Sequence, residues 1–141
     1  MNEDSRGENQ RRVLSRVDRH EFIGRLDELR RIVSHPQRPE AGGLLLLLAP
    51  AAGVSELLRQ AYDQIFNEQG KIIPVYFALP REETTPVSAA IEFLNTFLLQ
   101  YIAFRRNEPS FCQSPLTLSE LLELAPPTDY EWIEQLIESV R

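Results

Sequence analysis

At 141 residues and 16.2 kDa the chain is long enough for one domain with a real core. Its 43% hydrophobic and 26% charged content is ordinary for a globular protein, and a net charge of -6 gives no sign of a general nucleic-acid binder. A single cysteine, Cys112, excludes an internal disulfide and a multi-cysteine metal site. The polar first residues carry both charge signs and are neither a secretory nor a transit signal, so a cytoplasmic location is expected.

Residues 1–19 are rich in Arg, Glu, Asp, Asn and Gln and read as a flexible polar lead-in, turning helical near Val13 to Val17. Acids are interspersed among Arg11, Arg12, Arg16 and Arg19, so a solvated tail describes this stretch better than a nucleic-acid or membrane contact. Glu21 to Glu28 reads EFIGRLDE. Gly24 permits a turn closed to other residues, and Leu26, Leu29, Ile32 and Val33 then mark a short amphipathic helix. Pro36, Pro39, Gly42 and Gly43 form a loop into Leu44–Leu48, five unbroken leucines that suit a parallel strand buried on both faces. A turn of small residues, Ala49 to Gly53, follows. Leu57, Leu58, Ala61, Tyr62 and Ile65 then share one side of a helix from Ser55 to about Glu68, with Glu56, Arg59, Asp63 and Gln64 opposite. Gln69 and Gly70 mark its end, with Gly70 suited to a left-handed cap.

Ile72 to Leu79, IIPVYFAL, is a second apolar strand candidate, regular from Val75 because Pro74 has no N–H. Two strands joined by a helix make a right-handed crossover. The expected fold over residues 20–141 is therefore α/β, a βαβ start of an open parallel sheet with additional helices. The two strands should either pair directly or stand in an open sheet. Thr85 and Pro86 open a helix through Val87 to Arg106, whose apolar stripe holds Ala90, Ile91, Leu94, Phe97, Leu98, Tyr101 and Ile102. Glu92, Asn95, Thr96 and Gln100 interrupt it regularly, which favours a packed helix over a membrane span. Thr117 and Glu120 fit a capping box before a short helix through Leu124, ended by Pro126 and Pro127. Thr128 and Glu131 repeat the signature before a last helix, Tyr130 to Val140. The sequence has no HExxH, no zinc spacing and no supported Ser-His-Asp arrangement, and neither His20 nor His35 stands in a partner motif for Cys112.

The turn carries the functional signal. Leu48 to Ser55, LAPAAGVS, lies without a gap on the phosphate-binding template G-x-x-x-x-G-K-[ST], with Gly53 and Ser55 matching and Leu48 and Val54 replacing the first glycine and the lysine. A second alignment puts a short deletion between Val54 and Ser55, and both leave the lysine absent. Through Ala49, Pro50, Gly53, Ser55, Glu56, Leu57, Leu58 and Arg59, and upstream through Phe22, Ile23, Gly24, Arg25, Glu28 and Leu29, the chain resembles the AAA+ and STAND group of P-loop nucleoside triphosphatases.

That resemblance implies that the α/β fold is a P-loop NTPase-like domain, incomplete over residues 20–141, with ATP or ADP and Mg2+ as cofactor. It places Ile23, Gly24 and Arg25 beside the adenine, and Ala49, Pro50, Ala51, Ala52, Gly53, Val54, Ser55 and Glu56 around the phosphates, with Ser55 as the magnesium ligand. No apolar strand ending in Asp follows Leu79 to supply the second acidic motif. Losing a contact such as the lysine commonly costs roughly two to three powers of ten in rate. The expectation is a degenerate nucleotide-binding module of a regulatory ATPase, with weak or absent hydrolysis. Its partners would be other protein domains or the missing C-terminal half, with no membrane and no direct nucleic-acid signal. The rival expectation is a protein interaction or scaffold module that kept the βα fold without binding nucleotide.

Overall fold

The computed structural model describes residues 10–49, 52–80, 82 and 84–140. Among them the regular elements are α1 (Leu26–Ser34), a 3-10 turn (His35–Gln37), α2 (Val54–Glu68), α3 (Pro86–Arg106), a second 3-10 turn (Pro109–Gln113), α4 (Leu118–Leu124) and α5 (Tyr130–Ser139). They fall into two compact units, Met1–Ile73 and Pro74–Arg141.

This overturns the expected α/β fold. Neither Leu44–Leu48 nor Ile72–Leu79 is a strand, and the described residues contain no sheet, paired or open. An apolar run becomes a strand only when a neighbouring edge takes up its N–H and C=O groups. In the second segment Pro74 has no N–H to offer, and Tyr76 gives both its backbone groups to one side chain. The Tyr76 N–H donates to Gln100 Oε1 at 2.7 Å, and Gln100 Nε2 donates to the Tyr76 carbonyl at 2.8 Å. A helical amide thus fills the place of a neighbouring strand.

In the first unit, Gly24 at φ 90° turns the chain into α1. α1 sets Leu29 and Val33 against Leu57 and Ala61 of α2, with Phe22, Ile32 and Ile65 around them. Leu29, Val33, Leu57 and Ala61 lie on the apolar faces the periodicity predicts for the two helices, while Leu26 is left exposed. The opposite flank of α2 carries Glu56, Gln60, Asp63 and Asn67, and along it lies the stretch from Arg11 to Val17, part of the segment expected to be a flexible lead-in. Asp63, fully buried, accepts the N–H groups of Val13 (3.0 Å), Leu14 (2.7 Å) and Ser15 (3.2 Å), and the Ser15 hydroxyl donates to it. Glu56 accepts the N–H groups of Arg16 (3.1 Å) and Val17 (3.2 Å). Gln60 Nε2 donates to the Val17 carbonyl at 2.7 Å, and Asn67 Nδ2 donates to the Arg11 carbonyl at 2.9 Å. Val13 is fully buried by this arrangement.

In the second unit the C-terminal half of α3 forms the core, with Leu98 and Ile102 packed against Leu121, Ala125, Ile133 and Ile137. Thr85 caps α3 by accepting the Ser88 N–H at 3.1 Å, with Pro86 in the first turn. α3 is long and apolar enough to cross a membrane by length and composition alone. The capping box at α4 is present in both directions, Thr117 Oγ1 accepting from the Glu120 N–H and Glu120 accepting from the Thr117 N–H.

Two caps differ from expectation. Gln69, not Gly70, takes the left-handed conformation after α2, at φ 49°, and its side chain adds a 2.9 Å bond to the Phe66 carbonyl that glycine lacks. α5 begins after Asp129, not Thr128, and Asp129 makes no side-chain cap bond. Its carboxylate is drawn away by stronger, charge-assisted partners, Arg105 Nε at 2.9 Å and the Tyr101 hydroxyl at 3.0 Å.

Candidate functional site

The loop before α2 was the expected phosphate site, and its described part has a defined geometry. The Ala52 N–H donates to the Ala49 carbonyl at 3.1 Å, closing a turn. Pro50 and Ala51 lie outside the described residues. Gly53 then adopts φ 76°, ψ 26° as the N-cap of α2, and no side chain caps the helix. The left-handed conformation is least strained for a residue without Cβ, which favours glycine at this joint. Val54 and Ser55 form the first helical positions, and Ser55 is exposed.

Glu56 departs from the expected role. Its carboxylate holds the backbone of residues 16 and 17 and also accepts Gln60 Nε2 at 2.9 Å, so it serves the lead-in segment. In the other expected arm, Ile23 is 85% exposed, Gly24 holds its positive φ and Arg25 is the N-cap residue of α1. The bodies of α1 and α2 pack together. Among the described residues, however, no hydrogen bond joins Ile23, Gly24 or Arg25 to Gly53, Val54, Ser55 or Glu56.

Chemically, the start of α2 can attract an anion through its uncapped N–H groups and the positive end of the helix dipole. Position 54 is valine, so the loop brings no cation of its own to a transferring phosphoryl group. Ser55 offers a single hydroxyl to a metal. A separate trio, Asp18, His20 and Glu21, holds its ligand atoms within 4.8 Å of one another on the surface. Asp18 there is already engaged by Arg12 at 3.4 Å.

The more unusual feature is the leucine run itself. Leu45 is 78% and Leu47 83% exposed, while Leu44 and Leu48 are 48% and 40% exposed. Alternate residues lean inward and outward, the period of an extended chain. Leu45 and Leu47 therefore share a bare face, and Leu44, Leu46 and Leu48 are less exposed. His35 Nε2 lies 2.7 Å from the Gly42 carbonyl, so the base of this segment is tied down just before the leucines begin. In the second unit Leu79 is 78% exposed, and Val87, Ile91 and Phe93 on the N-terminal half of α3 are also exposed.

A cluster not foreseen from sequence surrounds Asp129. Burial alone would raise its carboxyl, but hydrogen bonds from Arg105 and Tyr101 outweigh that and hold it below the usual carboxylate range. Burial, aided by the adjacent Asp129, raises the Tyr101 phenol in turn. The Tyr101 ring meets Trp132 edge-on at 5.1 Å and stacks on Phe97, which stacks on Phe93, and Phe93 meets Phe77 edge-on at 5.3 Å. The sequence marked α3's aromatics as core. It gave no signal that Asp129 would join them, because Thr128 and Glu131 offered a simpler capping role.

The sequence matches no family model, and no curated protein or solved structure is similar to it at a significant level.

Proposed function

We propose that the chain is a protein-interaction module whose contact element is the leucine segment 44–48. The observation that supports this reading is the bare face of Leu45 and Leu47 on a segment anchored at its base by His35. Soluble proteins seldom present contiguous large apolar side chains without a partner to cover them. Residues 41–55 carry no charge until Glu56, so nothing in this stretch resists burial against another apolar surface.

Sedimentation across a wide concentration range, combined with binding of a hydrophobic dye, tests the reading. The chain should bind dye and associate as concentration rises. The double variant Leu45→Asp, Leu47→Asp should do neither, with its helix content by circular dichroism unchanged. A dye-negative monomer at all concentrations would remove the basis for an interaction role.

A second reading, weak nucleotide binding without hydrolysis, draws support from Gly53 and the uncapped N–H groups that open α2. Calorimetric titration with ATP and ADP in the presence of magnesium separates it from the first. Under this reading Val54→Lys strengthens binding. If neither wild type nor Val54→Lys gives heat, the start of α2 is only a helix start.

A further inference from the structure

The stretch 11–17 is fastened to α2 almost wholly through side chains of that helix, with Asp63 at the centre. Both Asp63 oxygens are occupied by backbone N–H groups, and one also accepts the Ser15 hydroxyl. Ser15 itself is buried. Arg11 and Arg12 stand four and three residues before it, and Arg16 follows it, all three exposed. A serine with arginines at those positions offers the cationic lead that basophilic serine/threonine kinases bind through acidic subsites.

We propose that Ser15 is a phosphorylation site that works as a release switch for the 11–17 strap. In the closed state the Oγ is committed to Asp63 and sheltered from a kinase. The strap is a short non-helical stretch with few apolar anchors, chiefly Val13, and stretches that bury so little apolar surface open locally before the whole unit does. In the open state the Ser15 Oγ attacks the γ-phosphorus of ATP. The Oγ–P bond forms, the bond from that phosphorus to the β-phosphate oxygen breaks, ADP leaves, and the hydroxyl proton passes to the kinase base. A phosphoserine carries about -1.5 to -2 charges at neutral pH. It cannot return to a buried carboxylate, since like charges at contact distance in a poorly solvated site repel and neither can be rehydrated. The strap stays open. Release bares the polar flank of α2 and takes the Arg16 and Val17 N–H groups away from Glu56, which lies in the first turn beside Ser55. The switch therefore also changes what surrounds the start of α2, independently of the leucine segment.

The test incubates the folded chain, and separately a synthetic peptide of residues 10–20, with the catalytic subunit of a cyclic-nucleotide-dependent kinase and magnesium ATP. Peptide mass spectrometry locates the phosphate, and hydrogen exchange follows the amides of residues 13–17. The peptide should be modified quickly and the folded chain more slowly, with the phosphate on Ser15. The folded phosphoprotein should lose amide protection over 13–17 while keeping it in α3. Ser15→Glu should resemble the phosphoprotein, and Ser15→Ala, which loses only the hydroxyl bond, should resemble the unmodified chain. Should Ser15→Glu fail to fold, the wild-type chain phosphorylated after folding gives the same readout. Failure to modify the peptide, failure to modify the folded chain at Ser15, or a phosphoprotein that retains protection over 13–17 each overturns the proposal.

Discussion

The two units solve one problem by related means and leave different surfaces behind. Each contains a non-helical segment whose backbone groups need partners, and each supplies them from helix side chains in place of a β-ladder. In the first unit the fasteners are mainly carboxylates, Asp63 and Glu56, which only accept and so collect the N–H groups of consecutive residues. In the second, one amide, Gln100, both accepts and donates, and satisfies a single residue, Tyr76. Charge divides unevenly as well. Residues 1–73 hold eleven basic and eleven acidic side chains, and residues 74–141 hold four basic and ten acidic, so the net charge of -6 lies wholly in the second unit. The acids of the first unit include its fasteners, whereas those of the second, such as Glu131, Glu134 and Glu138, are mostly exposed on helices. The non-helical segments therefore differ in role. Residues 11–17 and Tyr76 are gripped, and the leucines are not.

Asp63→Ala should destabilise the chain most. It leaves buried N–H groups without an acceptor, each costing about 1–3 kcal/mol. The chain should lose about 3–5 kcal/mol of stability by urea titration, at the upper end for a single substitution. A loss no larger than that of an average surface substitution would mean the strap is not part of the folded unit. Next is Gln100→Leu, which keeps bulk but strands both groups of Tyr76. Because Tyr76 is only partly buried, about 2 kcal/mol is expected, with increased exchange of the Tyr76 amide.

A smaller effect should appear in acid. The Asp129 carboxyl is depressed in the folded chain, so its contribution is complete above the unfolded value of about 3.9 and is lost as pH falls through the lower folded value. Wild type should therefore lose more stability than Asp129→Asn as pH is lowered below about 4. The difference should be about 1 kcal/mol, because Arg105 is substantially exposed and solvent screens the pair. Equal acid sensitivity of the two chains would show that the pair adds nothing. The smallest expected change is Gly53→Ala. A Cβ added there meets nothing within 4 Å, so the cost is the left-handed backbone alone, about 1 kcal/mol, read as a lowered melting temperature.

Much of the helical structure was legible in the sequence. The 3.6-residue spacing of Leu57, Ala61 and Ile65 and the Thr85–Pro86 start located α2 and α3, and Thr117 with Glu120 located α4, because these signals act within a few residues of one another. The position of Gly53 ahead of α2 was legible for the same reason. The sheet was misread because an unbroken apolar run reports only that the segment avoids water, and not what it pairs with. Glu56, Gln60, Asp63 and Asn67 form a polar stripe at helical spacing, the pattern of a solvated face. Only the folded chain shows that the stripe is covered by residues 11–17.

By itself the sequence determined where the backbone coils, since helix propensity and caps such as Thr85 with Pro86 and Thr117 with Glu120 are settled by neighbours along the chain. The tertiary structure decided which polar side chains are buried as fasteners and which apolar ones are left bare. Those outcomes depend on contacts between residues some fifty positions apart, as between Val13 and Asp63, and no local pattern encodes them.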